Sequence, residues 1–231
     1  MPKVSSIFIP ILKERLYFKL RWFLKHGIRY FKILDYWFIP GWLSENEAIA
    51  LYDLVLKINT KNPVIVELGS WLGKSSIVLA KALSYKRAGI LYCVDSFDLS
   101  GDDFSRDIYI KEQKKLNSSI KEQFIFNVKK SKVLKYIKIL EGKSYEVVKN
   151  FKDQIDLLFI DANHNYDSVK LDFFLWKDFI KIGGLIAFHD ANIEKDYFNG
   201  GPLRLIKEEI LNSSSWSQKR FIDSLFIAKK C

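Results

Sequence analysis

The chain has 231 residues, 48% hydrophobic and 28% charged, with 37 Lys and Arg against 27 Asp and Glu, for a net charge of +10. That length and apolar content support one α/β domain with a short extension and exclude a disordered or fibrous chain. Two cysteines, Cys93 in an apolar run and Cys231 at the end, exclude a disulfide framework; no apolar run reaches the ~18 residues of a membrane span, and Ile7 to Leu12 is too short for a secretory signal. The cytoplasm is the expected compartment.

The positive charge gathers in residues 1 to 40, where Lys3, Lys13, Arg15, Lys19, Arg21, Lys25, Arg29 and Lys32 stand against Glu14 and Asp35. Residues 10 to 35 predict one amphipathic helix. At ~100° per residue, Leu12, Leu16, Leu20, Phe23, Leu24, Ile28, Phe31 and Leu34 share one side. Six bases fall on the other, with Phe18 and Trp22 among them, the pattern of an interfacial helix. Two readings stand equally: the apolar face packs on its own domain or a second subunit, giving a homo-oligomer, or the helix docks peripherally on the inner face of a membrane. Nucleic acid is not expected, because basic charge alone reads no base.

Asp35 to Leu43, with Pro40-Gly41, reads as a linker, which separates a helical extension (1–40) from the main domain (41–231). Ser44 and Glu47 then form a capping-box signature for a helix to about Lys57. After Asn62-Pro63 comes Val64-Ile-Val-Glu-Leu-Gly-Ser-Trp-Leu-Gly-Lys-Ser-Ser76, which predicts strand, tight turn and a helix from Ser75 to Ser84. Such a turn presents backbone N–H groups to a nucleotide-like ligand. Gly69 and Gly73 with Trp71 between them do not make Gly-x-Gly-x-x-Gly, and Leu68 stands where a P-loop ending in Gly73-Lys74-Ser75 requires glycine.

Ile90 to Val94 predicts a second buried strand, ending in Asp95, where βαβ nucleotide sites place the acid that accepts from ribose hydroxyls. Asp98, Gly101, Asp102 and Asp103 mark a loop, and Ile110 to Leu134 reads equally as a helical cover over the site or a solvated surface insertion. Tyr136 to Leu140 is a third strand, followed by Glu141-Gly142-Lys143-Ser144, with Ser144 placed to reach a cofactor ring. Ile155 to Ile160 is a strand that leads into Asp161 and His164, and a helix follows with Val169, Phe173, Trp176 and Ile180 inward. Gly183-Gly184 is expected to close that helix, before a strand Leu185 to Phe188 that ends in His189-Asp190. Gly200-Gly201-Pro202 opens a last helix, and Trp216 to Phe221 with Ser224 to Ala228 form an antiparallel pair. The expectation is a Rossmann-like, doubly wound α/β sheet of about seven strands, mostly parallel with an antiparallel last strand. Asp161, His164, His189 and Asp190 then meet at the carboxyl ends of neighbouring strands.

Glu67-x-Gly69-x-x-x-Gly73 resembles motif I of class I S-adenosylmethionine-dependent methyltransferases. Ile160-Asp161, His164, Tyr166, Trp176, Gly183-Gly184 and His189-Asp190 resemble, more narrowly, a small bacterial methyltransferase family active on sugars and natural products. The resemblance spans about residues 40 to 229. It implies an S-adenosylmethionine site at Glu67, Gly69, Ser70, Trp71, Gly73, Ser75, Asp95, Ser144 and Asp161, with Glu67 as a polar anchor and Ser144 near adenine. Catechol-type O-methyltransferases, more distantly similar, imply a divalent metal such as magnesium on Asp161 and Asp190. Their asparagine ligand has no counterpart, because Ala191 holds its place and Asn192 comes one residue late.

His164 is the candidate base for an acceptor hydroxyl and His189 a supporting residue, since imidazole titrates near working pH. The expected acceptor is a small molecule or saccharide hydroxyl, including a glycolipid. The alternative is a non-catalytic binding or assembly module that keeps the fold and works at a membrane surface.

Overall fold

The computed structural model describes residues 5–99, 101, 103–191 and 200–231. Lys3, Asp102 and Asn192 lie outside them. Seven strands form one sheet in the order β3-β2-β1-β4-β5-β7-β6. They are β1 (Val64–Leu68), β2 (Ile90–Asp95), β3 (Ile137–Glu141), β4 (Ile155–Ile160), β5 (Ile180–Phe188), β6 (Trp216–Ile222) and β7 (Leu225–Lys230). The first five run parallel, β7 pairs antiparallel with β5, and β6 closes the edge as its hairpin partner. This is the doubly wound sheet expected.

Central strands read as unbroken apolar runs because both faces are covered. Ile65, Leu157 and Phe159 point into one hydrophobic cluster, with Leu51 of α2 (Glu45–Lys57), Leu79 of α3 (Lys74–Lys86) and Phe124 of α5 (Ile120–Lys130). Val66, Leu68, Leu158 and Ile160 point into the other, with Phe173 and Trp176 of α7 (Tyr166–Trp176), which follows the short α6 (Ser144–Val147). Helix α2 starts at the capping box, where Ser44 Oγ accepts from the Glu47 N–H and Glu47 accepts from the Ser44 N–H at 2.8 Å. A second box, Ser119 and Glu122, starts α5.

Three expectations need correction. Gly183-Gly184 does not end α7, which stops at Trp176, so Ile180 opens β5 instead of lying on the helix; the pair lies inside β5, where pairing with β4 jumps from Ile155–Ile180 to Leu157–Leu185 and Gly183 takes φ +78°. Asp103 is not loop but the first residue of α4 (Asp103–Gln113). Most consequentially, residues 10 to 35 are not one helix. α1 (Ser5–His26) ends at Gly27, whose φ is +75°, and a 3-10 segment continues the chain over Ile28–Phe38, so the linker begins later than expected.

The extension also docks by the opposite face. Trp22, set among the bases, is fully buried and joins Ile33, Leu34 and Tyr36 in the cluster of α2 and α3. Burying such a side chain contributes on the order of 3 kcal/mol. The bases beside it meet acids of α2: Arg21, Lys25 and His26 converge on Glu45, and Arg29 reaches Asp53 at 2.8 Å. Leu16, Leu20, Phe23, Leu24, Ile28 and Phe31 face outward.

Candidate active site

At the end of β1, Gly69 has φ +85° and its N–H donates to the Val94 carbonyl at 2.9 Å. A side chain there is barred twice, by conformation and because a Cβ would lie 2.1 Å from the Asp161 carbonyl oxygen. Gly73, φ +88°, turns the chain into α3.

Glu67 does not face outward as a cofactor anchor. It is wholly buried under the turn and accepts from Ser70 Oγ at 2.8 Å, Ser75 Oγ at 2.6 Å and Ser76 Oγ. Burial outweighs those donors and pushes its carboxyl up to about 7. The Ser70 and Ser75 hydroxyls are therefore engaged in shaping the turn. From above, Asp95 accepts from the Ser70 and Trp71 N–H groups, both at 2.7 Å, so the two strand-end acids clamp the turn from opposite sides.

A cleft of about 380 Å³ opens beside it, lined by Gly69, Trp71, Asp95, Ser144, Asp161 and Asp172 among others. The Trp71 indole N–H is buried with no hydrogen-bond partner among the described residues, although its ring packs against Tyr109 and Trp42. Ser144 donates to Asp172, whose carboxyl burial pushes up to about 6. Carboxylate acceptors, an unpaired donor and a backbone turn suit a cofactor with a nucleoside and an amino-acid part. Asp172 and Tyr109 were missed from sequence because each sits in a helix with no local motif.

Asp161 also belongs to a second group of side chains. His189 Nδ1 lies 3.3 Å from Asp161 and 3.2 Å from Asp190, while its Nε2 lies 3.3 Å from Glu47. His164 Nε2 lies 3.3 Å from Asp190 and 3.6 Å from Asp161. All four expected strand-end residues thus come together. Burial opposes charge on His189, but the Asp161 and Asp190 carboxylates outweigh it and raise its pKa well above the ordinary value. Glu47 is the partner that sequence reading missed: its capping box was legible, its reach across the fold to His189 and Ser224 was not. Burial opposes ionisation of Glu47, yet His189 and its other donors hold it down at about 2. Against burial, His189 and His164 depress Asp190 likewise, and its backbone takes φ +52°. Gly201 matters for space: a Cβ there would lie 1.7 Å from the His164 carbonyl oxygen.

Beyond Asp190 and His189 the surface opens into a groove walled by Arg21, Trp37, Trp42, Asp223 and Ser224.

A seven-stranded sheet ending in an antiparallel hairpin, with a glycine turn and an acid at the tips of β1 and β2, defines the class I methyltransferase fold. Residues 66–191, more than half of the chain, match the family Methyltransf_24, described as a methyltransferase domain. The chain belongs to this family, and the sequence reading of an S-adenosylmethionine-dependent methyltransferase holds at that level. In fold it is similar to the O-methyltransferase NovP, at 15% identity over 80% of this chain and 79% of that one, with a TM-score of 0.62. It is similar as well to the O-methyltransferase TomG from Streptomyces achromogenes, solved with S-adenosylmethionine, at 15% identity over 82% and 81% and a TM-score of 0.58. An O-methyltransferase from Bacillus cereus, solved with the demethylated cofactor product, matches at 16% identity over 99% and 95%, with a TM-score of 0.57.

Proposed function

We propose that this methyltransferase carries a methyl group from S-adenosylmethionine to a hydroxyl oxygen of a sugar, glycolipid or related natural-product acceptor. One observation carries the reading: the Asp161 carboxylate lines the cofactor cleft and stands 3.3 and 3.6 Å from the nitrogens of His189 and His164. Cofactor cleft and acid–base group therefore share a wall. Bound cofactor supplies an electrophilic methyl group on a positively charged sulfur. The Gly69 to Ser75 turn would hold its amino-acid part, Asp95 its ribose, and Ser144 with Asp172 its adenine.

Methyl transfer needs an acceptor oxygen that loses its proton as it attacks. Asp190, which lines the acceptor groove, passes that proton to His164 Nε2 at 3.3 Å, Asp161 at 3.6 Å helps hold the ring, and the charged His189 offsets the two carboxylates. The groove beyond Asp190 receives the acceptor; the indole faces of Trp37 and Trp42 suit the C–H face of a sugar, and Asp223 and Ser224 suit its hydroxyls. The neighbours' description as O-methyltransferases supports the oxygen acceptor.

A second reading concerns the same nitrogen. Ligand atoms of Asp161, His164 and Asp190 all lie within 4.8 Å of one another, a donor set that would hold a divalent cation such as magnesium, with His164 as a third donor beside the two carboxylates. Such an ion would polarise the acceptor hydroxyl.

A thermal-shift titration tests the cofactor: stabilisation by S-adenosylmethionine and its demethylated product, but not by ATP or NAD, is expected. Silence toward all of them would favour the non-catalytic module. His164→Ala should keep the shift and lose roughly 10²- to 10⁴-fold in turnover. Near-normal turnover would remove His164 from the chemistry.

A further inference from the structure

Among the described residues, the outward side of the N-terminal extension is a continuous apolar surface. Leu16, Leu20, Phe23 and Leu24 stand on one side of α1, opposite Phe18 and Trp22, and Ile28 and Phe31 extend the strip past Gly27. Leu16, Leu24 and Ile28 are 68%, 75% and 77% exposed. The strip cannot turn inward, because the opposite side is fixed: Trp22 is buried, its Nε1 donates to the Tyr30 carbonyl at 3.0 Å, and Phe18 stacks on Trp37 at 4.6 Å. Exposed apolar surface of this extent marks a docking site.

Charge chooses the occupant. Lys19 and Lys32 are exposed beside the strip, while Lys25 and Arg29 pair with Glu45 and Asp53, in a segment with eight bases against two acids on a chain of net charge +10. A second copy laid face to face would bring the same bases opposite these. An anionic bilayer offers apolar depth with negative charge at its rim, which matches both features of the face.

We propose that this face seats the protein on an anionic membrane surface, with Leu16, Leu20, Phe23, Leu24 and Ile28 in the interfacial layer and the surrounding bases among the headgroups. Arg21 and Trp37, which wall the groove leading to Asp190, belong to the same two helical segments. The acceptor groove is therefore bounded by the membrane-seated elements on their side away from the apolar strip, where a lipid-linked saccharide reaches it with a headgroup that stands clear of the bilayer. That last step relies on the O-methyltransferase reading; the docking does not.

The test is flotation of the full chain with phosphatidylcholine vesicles with and without phosphatidylglycerol, beside light scattering and the cofactor thermal shift. Wild type should float with the anionic vesicles only, less so at high salt. Leu20→Glu/Leu24→Glu, on exposed positions, should lose about tenfold or more in partitioning and keep its cofactor shift. Equal flotation of the double variant and wild type, or no flotation of either, overturns the docking. A wild-type dimer that the double variant abolishes, without vesicle binding, overturns it in favour of a second copy. Loss of the cofactor shift in wild type would strike the methyltransferase reading instead and leave the flotation result standing.

Discussion

Glu67 makes a sharp test of how the cofactor turn is built. Its carboxyl rises from 4.5 to about 7 because burial outweighs the hydroxyls of Ser75, Ser76 and Ser70. The folded state thus holds a proton that the unfolded chain releases near pH 4.5, so the stabilisation is complete below that pH and is lost as pH climbs through 7. At about 1.4 kcal/mol per pH unit, the loss comes to roughly 3 kcal/mol. Glu67→Gln keeps the shape and cannot ionise. Urea denaturation of both proteins from pH 4 to 8 isolates Glu67, since other titrating groups cancel in the difference. The variant should gain roughly 3 kcal/mol on wild type across that range. A difference that stays flat, or that moves the other way, would refute the reasoning and mean that the three serine hydroxyls hold the carboxylate ionised.

Gly69→Ala should cost roughly 3 kcal/mol or more and abolish cofactor binding, because the φ is left-handed and the new Cβ meets the Asp161 backbone; denaturation and calorimetry measure both. Lys74, whose ammonium donates to the Ile39 carbonyl at 2.9 Å and whose pKa burial lowers to about 8, latches the extension to the cofactor turn. Lys74→Met should speed amide exchange in Ile28–Phe38 about tenfold, the effect of losing one charged hydrogen bond. Unchanged exchange would show that apolar packing alone holds the segment. Magnesium at saturating concentration should raise the midpoint of wild type and leave Asp190→Asn unmoved; an equal rise in both would place the ion elsewhere.

The strands along the chain and the positions of the glycine turn and the strand-end acids could be read from the sequence because each is written locally. Apolar runs of five or six residues fix the strands, left-handed φ demands Gly69 and Gly73, and a parallel sheet gathers the residues at the carboxyl ends of its strands along one edge. That is why Asp161, His164, His189 and Asp190 fell together as expected. Direction was different. Glu67 and Asp95 look alike in sequence, acids at strand tips, but only Glu67 finds three serine hydroxyls beneath the turn, drawn from Ser70 and the start of α3. The first helix shows the same limit. Its periodicity offers two apolar sides, a leucine strip and an aromatic pair among bases, and periodicity cannot say which one docks. Glu45 and Asp53 on α2 decide it by meeting Arg21, Lys25 and Arg29, which turns Trp22 inward and leaves the leucines outside. What is local the sequence determines; which face of an element meets a partner far along the chain is settled only by the packed fold.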